Sequence, residues 1–381
     1  MTEEAPRQQN NDKKVITSPE SRERCQAIAQ ELQENLHLGA LEVLEENRKE
    51  AKNRFNIDTP ENISSLVHSG VMIMNKEGEV VGKAGRSIDV DKEFNLASAS
   101  KVINALFMLI ALSEQGDIDL KDLDKKQLPS RIQTKVNPDG SKEEFIIENE
   151  ISIREFLERI LGYSDNPQLS ALRKMYVSHF RGEVSSPESA MDSLQIRINE
   201  ALNTNNDNDK YIPRGTTDAK LNPMLGNTAP LKTMLESFRY SVRLCKDKNS
   251  TLPKEFRKVF LSSLKILPEE IVEITPSVKS QRLLHTFKRQ NPELGIREKS
   301  GWFADQGDNI NTINSFAEIR IDGKIYYIGW YIEAPEVIKK SNIRFPMISV
   351  YNREYQQWKF MKKAGEVIKD ILNRKELKLF T

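Results

Sequence analysis

Strand-forming stretches stand at opposite ends of this chain, so any sheet it builds must be closed by segments far apart in sequence. Near the start, the apolar run Gly70-Val71-Met72-Ile73-Met74 precedes Asn75-Lys76-Glu77-Gly78 and then Val80-Val81-Gly82-Lys83-Ala84-Gly85-Arg86, the pattern of a β-hairpin. Near the end, residues 311–321 and 324–333 flank Asp322-Gly323, a dipeptide suited to the positive φ angles of a tight turn. Between the two hairpins the dominant period is helical. Val102, Ile103, Leu106, Leu109, Ile110 and Leu112 make residues 98–114 apolar on nearly every side, which predicts a centrally buried helix. A capping box, Ser152-x-x-Glu155, opens a second helix with Ile153, Phe156, Leu157, Ile160 and Leu161 on one face. The predicted fold class is α/β (α+β): an antiparallel sheet formed by the N- and C-terminal segments, flanked by helices, with an inserted all-helical lobe.

Residues 1–20 are polar and aperiodic and read as a disordered arm. Ile28, Leu32, Leu36, Leu41 and Leu44 then predict one or two charged amphipathic helices, taken as an N-terminal extension over 21–60. The rest, 61–381, reads as one domain. Its sheet lobe covers about 61–97 and 245–381, and its helical lobe about 98–244. The tract from Val184 to Pro213 is rich in Ser, Asn and Asp, and within it Leu202 to Asp209 reads as a mobile surface loop. A last helix from about Asn352 to Asn373 is expected to pack Trp358, Phe360, Met361 and Ile368 inward.

Composition removes several classes of function. Basic and acidic residues number 57 and 56, so no long-range field favours nucleic acid or an anionic membrane. Cys25 and Cys245 form no CxxC pair, which leaves no thiolate metal site and no disulfide framework, while a single bridge between them stays open. His37, His68, His179 and His285 form neither HxxxH nor HExxH, so no metal or other cofactor is expected. No stretch has the length and apolarity of a bilayer-crossing helix, and the first residues lack the apolar region of a cleavable leader. The expectation is a monomer without a membrane span, cytoplasmic as the sequence stands, and periplasmic or secreted if a leader precedes it.

Serine is a weak nucleophile unless a neighbour takes its proton and fixed donors meet the resulting oxyanion. At Ser98-Ala99-Ser100-Lys101 a serine starts the apolar helix and a lysine follows one turn later on the same face. At the helix start, negative charge on that serine also feels the positive end of the dipole. Tyr163-Ser164-Asp165-Asn166 follows some sixty residues later, and Lys299-Ser300-Gly301 opens a stretch of strand character. The order and contexts match the S-x-x-K, S-D-N and K-T-G set.

With these segments, Phe94 to Lys101, Tyr163 to Asn166 and Lys299 to Gly301, the chain resembles the class A β-lactamases and penicillin-binding proteins over roughly 61–381. The resemblance implies an acyl-serine mechanism on a small-molecule or peptide substrate, a β-lactam or a D-amino-acid amide. In it Ser98 would be the nucleophile and Lys101 its base. Ser164 would pass a proton to the departing nitrogen, and Asn166 would bind the substrate amide. Lys299 and Ser300, with Gly301 beside them, would hold a substrate carboxylate. The N–H groups of Ser98 and Trp302 would form the oxyanion hole. Asp218, with Asn222 four residues on, would stand where the family has a deacylating Glu and its Asn, one methylene shorter; Thr216-Thr217-Asp218 reads equally as an ordinary turn. Asn309 and its neighbours stand where many relatives carry an arginine. Two alternatives stay open: a D-alanyl peptidase or esterase-like relative with slow deacylation, and a catalytically silent binding protein of the same fold.

Overall fold

The computed structural model describes residues 17–56, 58, 61–86, 93–95, 97–130, 132–136, 142–146, 150–180, 187–202, 212–213, 227–265, 296–304, 310–321, 323–335 and 337, with 359, 363–364, 366–368 and 370–371 near the C-terminus. Helix α1 (Pro19–Phe55) leads into the hairpin of β1 (His68–Asn75) and β2 (Val80–Arg86), and then into β3 (Glu93–Asn95). A 3-10 turn, Ala97–Ser100, opens α2 (Lys101–Glu114). Four short strands follow: β4 (Lys126–Pro129), β5 (Ile132–Val136), β6 (Lys142–Ile146) and β7 (Glu150–Ser152). Helix α3 (Ile153–Leu157) runs into a π-turn, Glu158–Tyr163, and is followed by α4 (Asn166–Phe180) and α5 (Pro187–Leu202). Then come β8 (Ile212–Pro213), β9 (Asn227–Pro230), α6 (Leu231–Lys246), α7 (Lys254–Ser263), β10 (Arg297–Ala304), β11 (Ile310–Ile321) and β12 (Lys324–Pro335).

The two terminal hairpins close on each other as their sequence requires. All neighbours in the five-stranded sheet, ordered β10-β11-β12-β1-β2, are antiparallel, and β1 joins β12 with Met72 opposite Gly329. The fold is thus the mixed α/β class with an antiparallel sheet built from both ends. Because alternate residues leave a strand on opposite faces, the sheet feeds two cores. Met72, Met74, Phe316, Tyr327 and Tyr331 face the helices that follow β3. Val71, Ile73, Ile319, Ile328, Trp330 and Ile332 face α1 and the helical residues near the C-terminus.

Helix α1 is a single 37-residue helix, N-capped by Ser18, whose Oγ accepts from Ser21 N–H at 3.3 Å. It buries Ile28, Leu32, Leu36 and Leu44 against the sheet, so it is a layer of the sheet structure. The folded part also reaches back into residues read as an arm: Thr17 is buried and accepts a hydrogen bond from Asn75 Nδ2 at 2.8 Å. Residues 1–16 lie outside the described residues.

One helix was not read from the sequence: α5 occupies Pro187–Leu202, while 203–209 of the segment read as a loop lie outside the described residues. Ala190, Met191, Leu194, Ile198 and Leu202 recur at helical spacing and are buried, which outweighs the low propensity of the intervening Ser, Asp and Asn. One expectation needs correction: the inserted lobe is not all helix. Strand β4 pairs with β7, and β5 with β6 in a five-residue register from Ile132↔Ile146 to Val136↔Lys142. Within that lobe Ser152 caps α3 as read, accepting from Glu155 N–H at 3.1 Å, and its five apolar partners are buried. Ser152→Ala is expected to cost about 1 kcal/mol of stability, measured by denaturant unfolding.

Cys25 and Cys245 lie buried in different cores and are not joined to each other, so the bridge left open by sequence is not formed. No described helix is long and apolar enough to cross a membrane. Of the residues assigned to the last helix, Ile368 is buried, while Trp358, Phe360 and Met361 fall outside the residues whose side chains are described.

Candidate active site

Three segments distant in sequence meet at the head of α2. Strand β3 pairs with β9, Phe94 opposite Ala229, and the Phe94 ring stacks on Tyr331 of β12 at 4.5 Å between centroids. This fixes the chain just before the 3-10 turn that carries Ser98. The turn packs against β10, and Ser98 is only 7% exposed. One turn later Lys101 is fully buried.

A buried ammonium must find acceptors. Lys101 Nζ donates to Ser164 Oγ at 3.0 Å, to the Ser164 carbonyl oxygen and to Asn166 Oδ1. Those three acceptors match the three donors of an ammonium. From the other side Lys299 Nζ donates to the same Ser164 Oγ at 2.7 Å. Ser164 therefore sits between two lysines drawn from α2 and β10, 63 and 135 residues away.

Burial pushes Lys101 down from the ordinary lysine range to about 7, and the nearby Asp165 carboxylate opposes that shift. A lysine with that value is substantially neutral near pH 7 and can accept a proton. Tyr163, just before the cluster, is pushed up to about 12, chiefly by burial, with Arg159 opposing, so it stays a neutral phenol.

Strand β10 lies at the edge of the sheet among the described residues. Lys299 stands opposite Phe316 and reaches toward the helical lobe, whereas Ser300 stands opposite Ser315 on the other face. Both are buried. At Glu298 the backbone N–H points away from β11 and bonds to Leu264 O at 3.2 Å. In an antiparallel ladder backbone direction repeats every second residue, so the N–H groups of Ser300 and Trp302 also point off the sheet edge.

The structure thus brings Lys101, Ser164, Asn166 and Lys299 into one hydrogen-bonded cluster at the end of the helix that Ser98 opens. Gly301 continues β10 beside it, opposite Asn314. Asp218, Asn222 and Asn309 lie outside the described residues, as does the side chain of Trp302. Sequence reading missed three features: the charge of Asp165 beside Lys101, the π-turn that precedes Ser164, and the left-handed backbone of Ser164 at φ 67°. Among the described residues no group of His, Cys, Asp and Glu could hold a metal ion.

No protein-family model matches the chain, and no curated protein matches it. Similar solved structures include the TLA-1 extended-spectrum β-lactamase, at 18% identity and TM-score 0.44, covering 88% of this chain and 99% of that one. A class A β-lactamase from Bacteroides cellulosilyticus gives 14% identity and TM-score 0.44 over 88% and 99% of the two chains. The transpeptidase domain of penicillin-binding protein 3 from Burkholderia pseudomallei gives 9% and 0.46 over 91% and 96%. At such values the chemistry of the site rests on its own geometry.

Proposed function

We propose that this chain is a serine hydrolase that works through an acyl-serine intermediate on Ser98, in the manner of a class A β-lactamase. The observation that carries the reading is the shared hydroxyl of Ser164, held between Lys101 and Lys299 at 3.0 and 2.7 Å beside the turn that bears Ser98.

Neutral Lys101 takes the proton of Ser98 Oγ as that oxygen bonds to the carbonyl carbon of a strained or activated amide. Electron density moves onto the carbonyl oxygen, which the N–H groups of Ser98 and Trp302 receive. The outward N–H direction deduced for Trp302 supports that role. As the carbon–nitrogen bond breaks, Ser164 gives its proton to the departing nitrogen and regains one from protonated Lys101, so Lys101 ends neutral. Asn166 orients the amide side chain of the substrate. Lys299 holds its carboxylate, with Ser300 offering its outward N–H at the edge of β10 in place of its hydroxyl, and the Lys299 ammonium favours negative charge on Ser164. Release of the acyl group falls to a water activated by Asp218 with Asn222.

One residue favours a second outcome at that last step. Asp218 is a methylene shorter than the glutamate it would replace, and a misplacement of about an ångström can cost roughly a hundredfold. The adduct would then persist, as in a penicillin-binding protein acting on D-alanyl peptides or esters.

Intact-mass measurement after penicillin treatment tests the reading. The wild-type protein is expected either to gain the mass of one penicillin or to consume a chromogenic cephalosporin catalytically, and Ser98→Ala to do neither. Repeated turnover selects the β-lactamase reading, and a long-lived adduct the slow-release one. A wild-type protein that shows neither would leave a silent binding protein.

A further inference from the structure

A helix that ends in a left-handed residue ordinarily closes with one or two hydrogen bonds. That residue donates to the carbonyl three or four positions back, and the next residue, where it bonds, to the one five back. At the end of the π-turn Ser164 N–H reaches Ile160 O, four back, at 3.1 Å, and Asp165 N–H reaches Arg159 O, six back and so one residue further than usual, at 3.2 Å. The turn therefore holds one residue more than an α-helical ending would. Ser164 itself takes φ 67° and ψ 37°, which a residue with a side chain adopts only at a cost in energy. Among the described residues Asn56 alone shares that trait without being glycine.

The consequence falls on Lys101. In a right-handed continuation the Ser164 carbonyl would run parallel to its own helix axis. Turned left-handed, residue 164 directs both its carbonyl oxygen and its hydroxyl sideways at one amine on α2, and Asn166 Oδ1 adds a third acceptor. The charged groups nearby are Asp165 on the same turn and Lys299 on β10, the latter reaching through Ser164 Oγ. π-turns of this kind are rare and recur at functional sites.

We propose that the surplus residue of the turn Glu158–Tyr163 is a positioning device for Lys101, holding residue 164 in the conformation that points two of its oxygens at the lysine amine. The proposal rests on reading Lys101 as the base of the site. Glu158, partly exposed at the start of the turn, is the residue to delete, since its removal restores an α-helical count.

The experiment follows the Lys101 side chain by 13C and 15N NMR titration, its signals assigned by their loss in Lys101→Met, in the full-length protein. Deleting Glu158 is expected to leave melting close to the parent and to lower the Lys101 midpoint by about half a pH unit or more, because a lost acceptor no longer favours the ammonium. A folded deletion variant with the parent midpoint overturns the proposal. If the deletion does not fold, Ser164→Gly is compared with Ser164→Val. Neither has the hydroxyl, but glycine adopts positive φ freely and valine resists it. The valine variant is expected to titrate lower than the glycine variant, and equal midpoints overturn the proposal. None of these titrations depends on acylation, so a parent protein that penicillin fails to modify counts against the proposed function alone.

Discussion

Lys101→Met is expected to slow acylation of Ser98 by about a thousandfold, the loss that follows removal of a positioned general base. Methionine keeps the length and apolar body of the lysine while removing the amine, so the core around α2 stays filled. In the parent, acylation at low substrate concentration should rise with pH and reach half its maximum near 7, where burial has placed the lysine. Below that value Lys101 is an ammonium and has no lone pair to offer. The methionine variant should lose the step near 7 together with the rate.

The same group shapes stability. Below pH 7 both folded and unfolded chains carry the proton, and the folded one bears the cost of a buried charge. Between about 7 and the ordinary lysine value of 10.5 the unfolded chain binds a proton that the folded chain has released, so stability rises with pH across that window. Comparing melting temperatures at pH 6 and pH 9 should show the parent gaining more than Lys101→Met. An equal change in both proteins would mean that the lysine ionises normally.

Gly82→Ala is the second large effect, expected to destabilise the protein by about 3 kcal/mol. A Cβ at this position would lie 2.5 Å from the backbone oxygen of Cys25 and 2.8 Å from its carbonyl carbon. Both belong to the main chain of α1, so no side-chain rotation relieves the clash and the helix must lift from β2. Gln26 would lose its place with it; its amide donates to Lys83 O at 2.9 Å and accepts from Lys83 N–H at 3.0 Å. Gly116→Ala is the control: its φ of +83° carries strain but nothing lies within 4 Å, and about 1 kcal/mol is expected. Urea unfolding curves measure both, and a Gly82→Ala midpoint equal to the parent would show that α1 does not rest on the strand.

What was legible in the sequence was local. The hairpins could be read because strand alternation and turn dipeptides are short-range signals, and Ser98 to Lys101 because one helical turn joins them. The inward lean of Lys299 toward Ser164 could be anticipated only through resemblance, since 135 residues separate the two. The depth at which Lys101 lies could not be read at all. A lysine three residues after a serine is exposed in most helices, and only the arrival of Ser164 and Asn166 makes burial tolerable. The π-turn left no trace, because Glu-Arg-Ile-Leu-Gly-Tyr continues the apolar period of α3 until its last residues. By contrast α5 was available from Ala190, Met191, Leu194 and Ile198. The Asn- and Asp-rich segment that follows outweighed it in a reading by composition.

The pairing of β1 with β12 carries a consequence for how the molecule is made. During synthesis the N-terminal hairpin emerges from the ribosome more than two hundred residues before the strand that will lie against it. Until then β1 presents an unpaired, apolar edge, which invites association with other chains. Contacts of such long sequence separation also form slowly. A nascent chain that stopped before Arg297 would carry Ser98 and Lys101 yet lack Lys299, so the hydrogen-bonded cluster around Ser164 can close only after β10 has emerged.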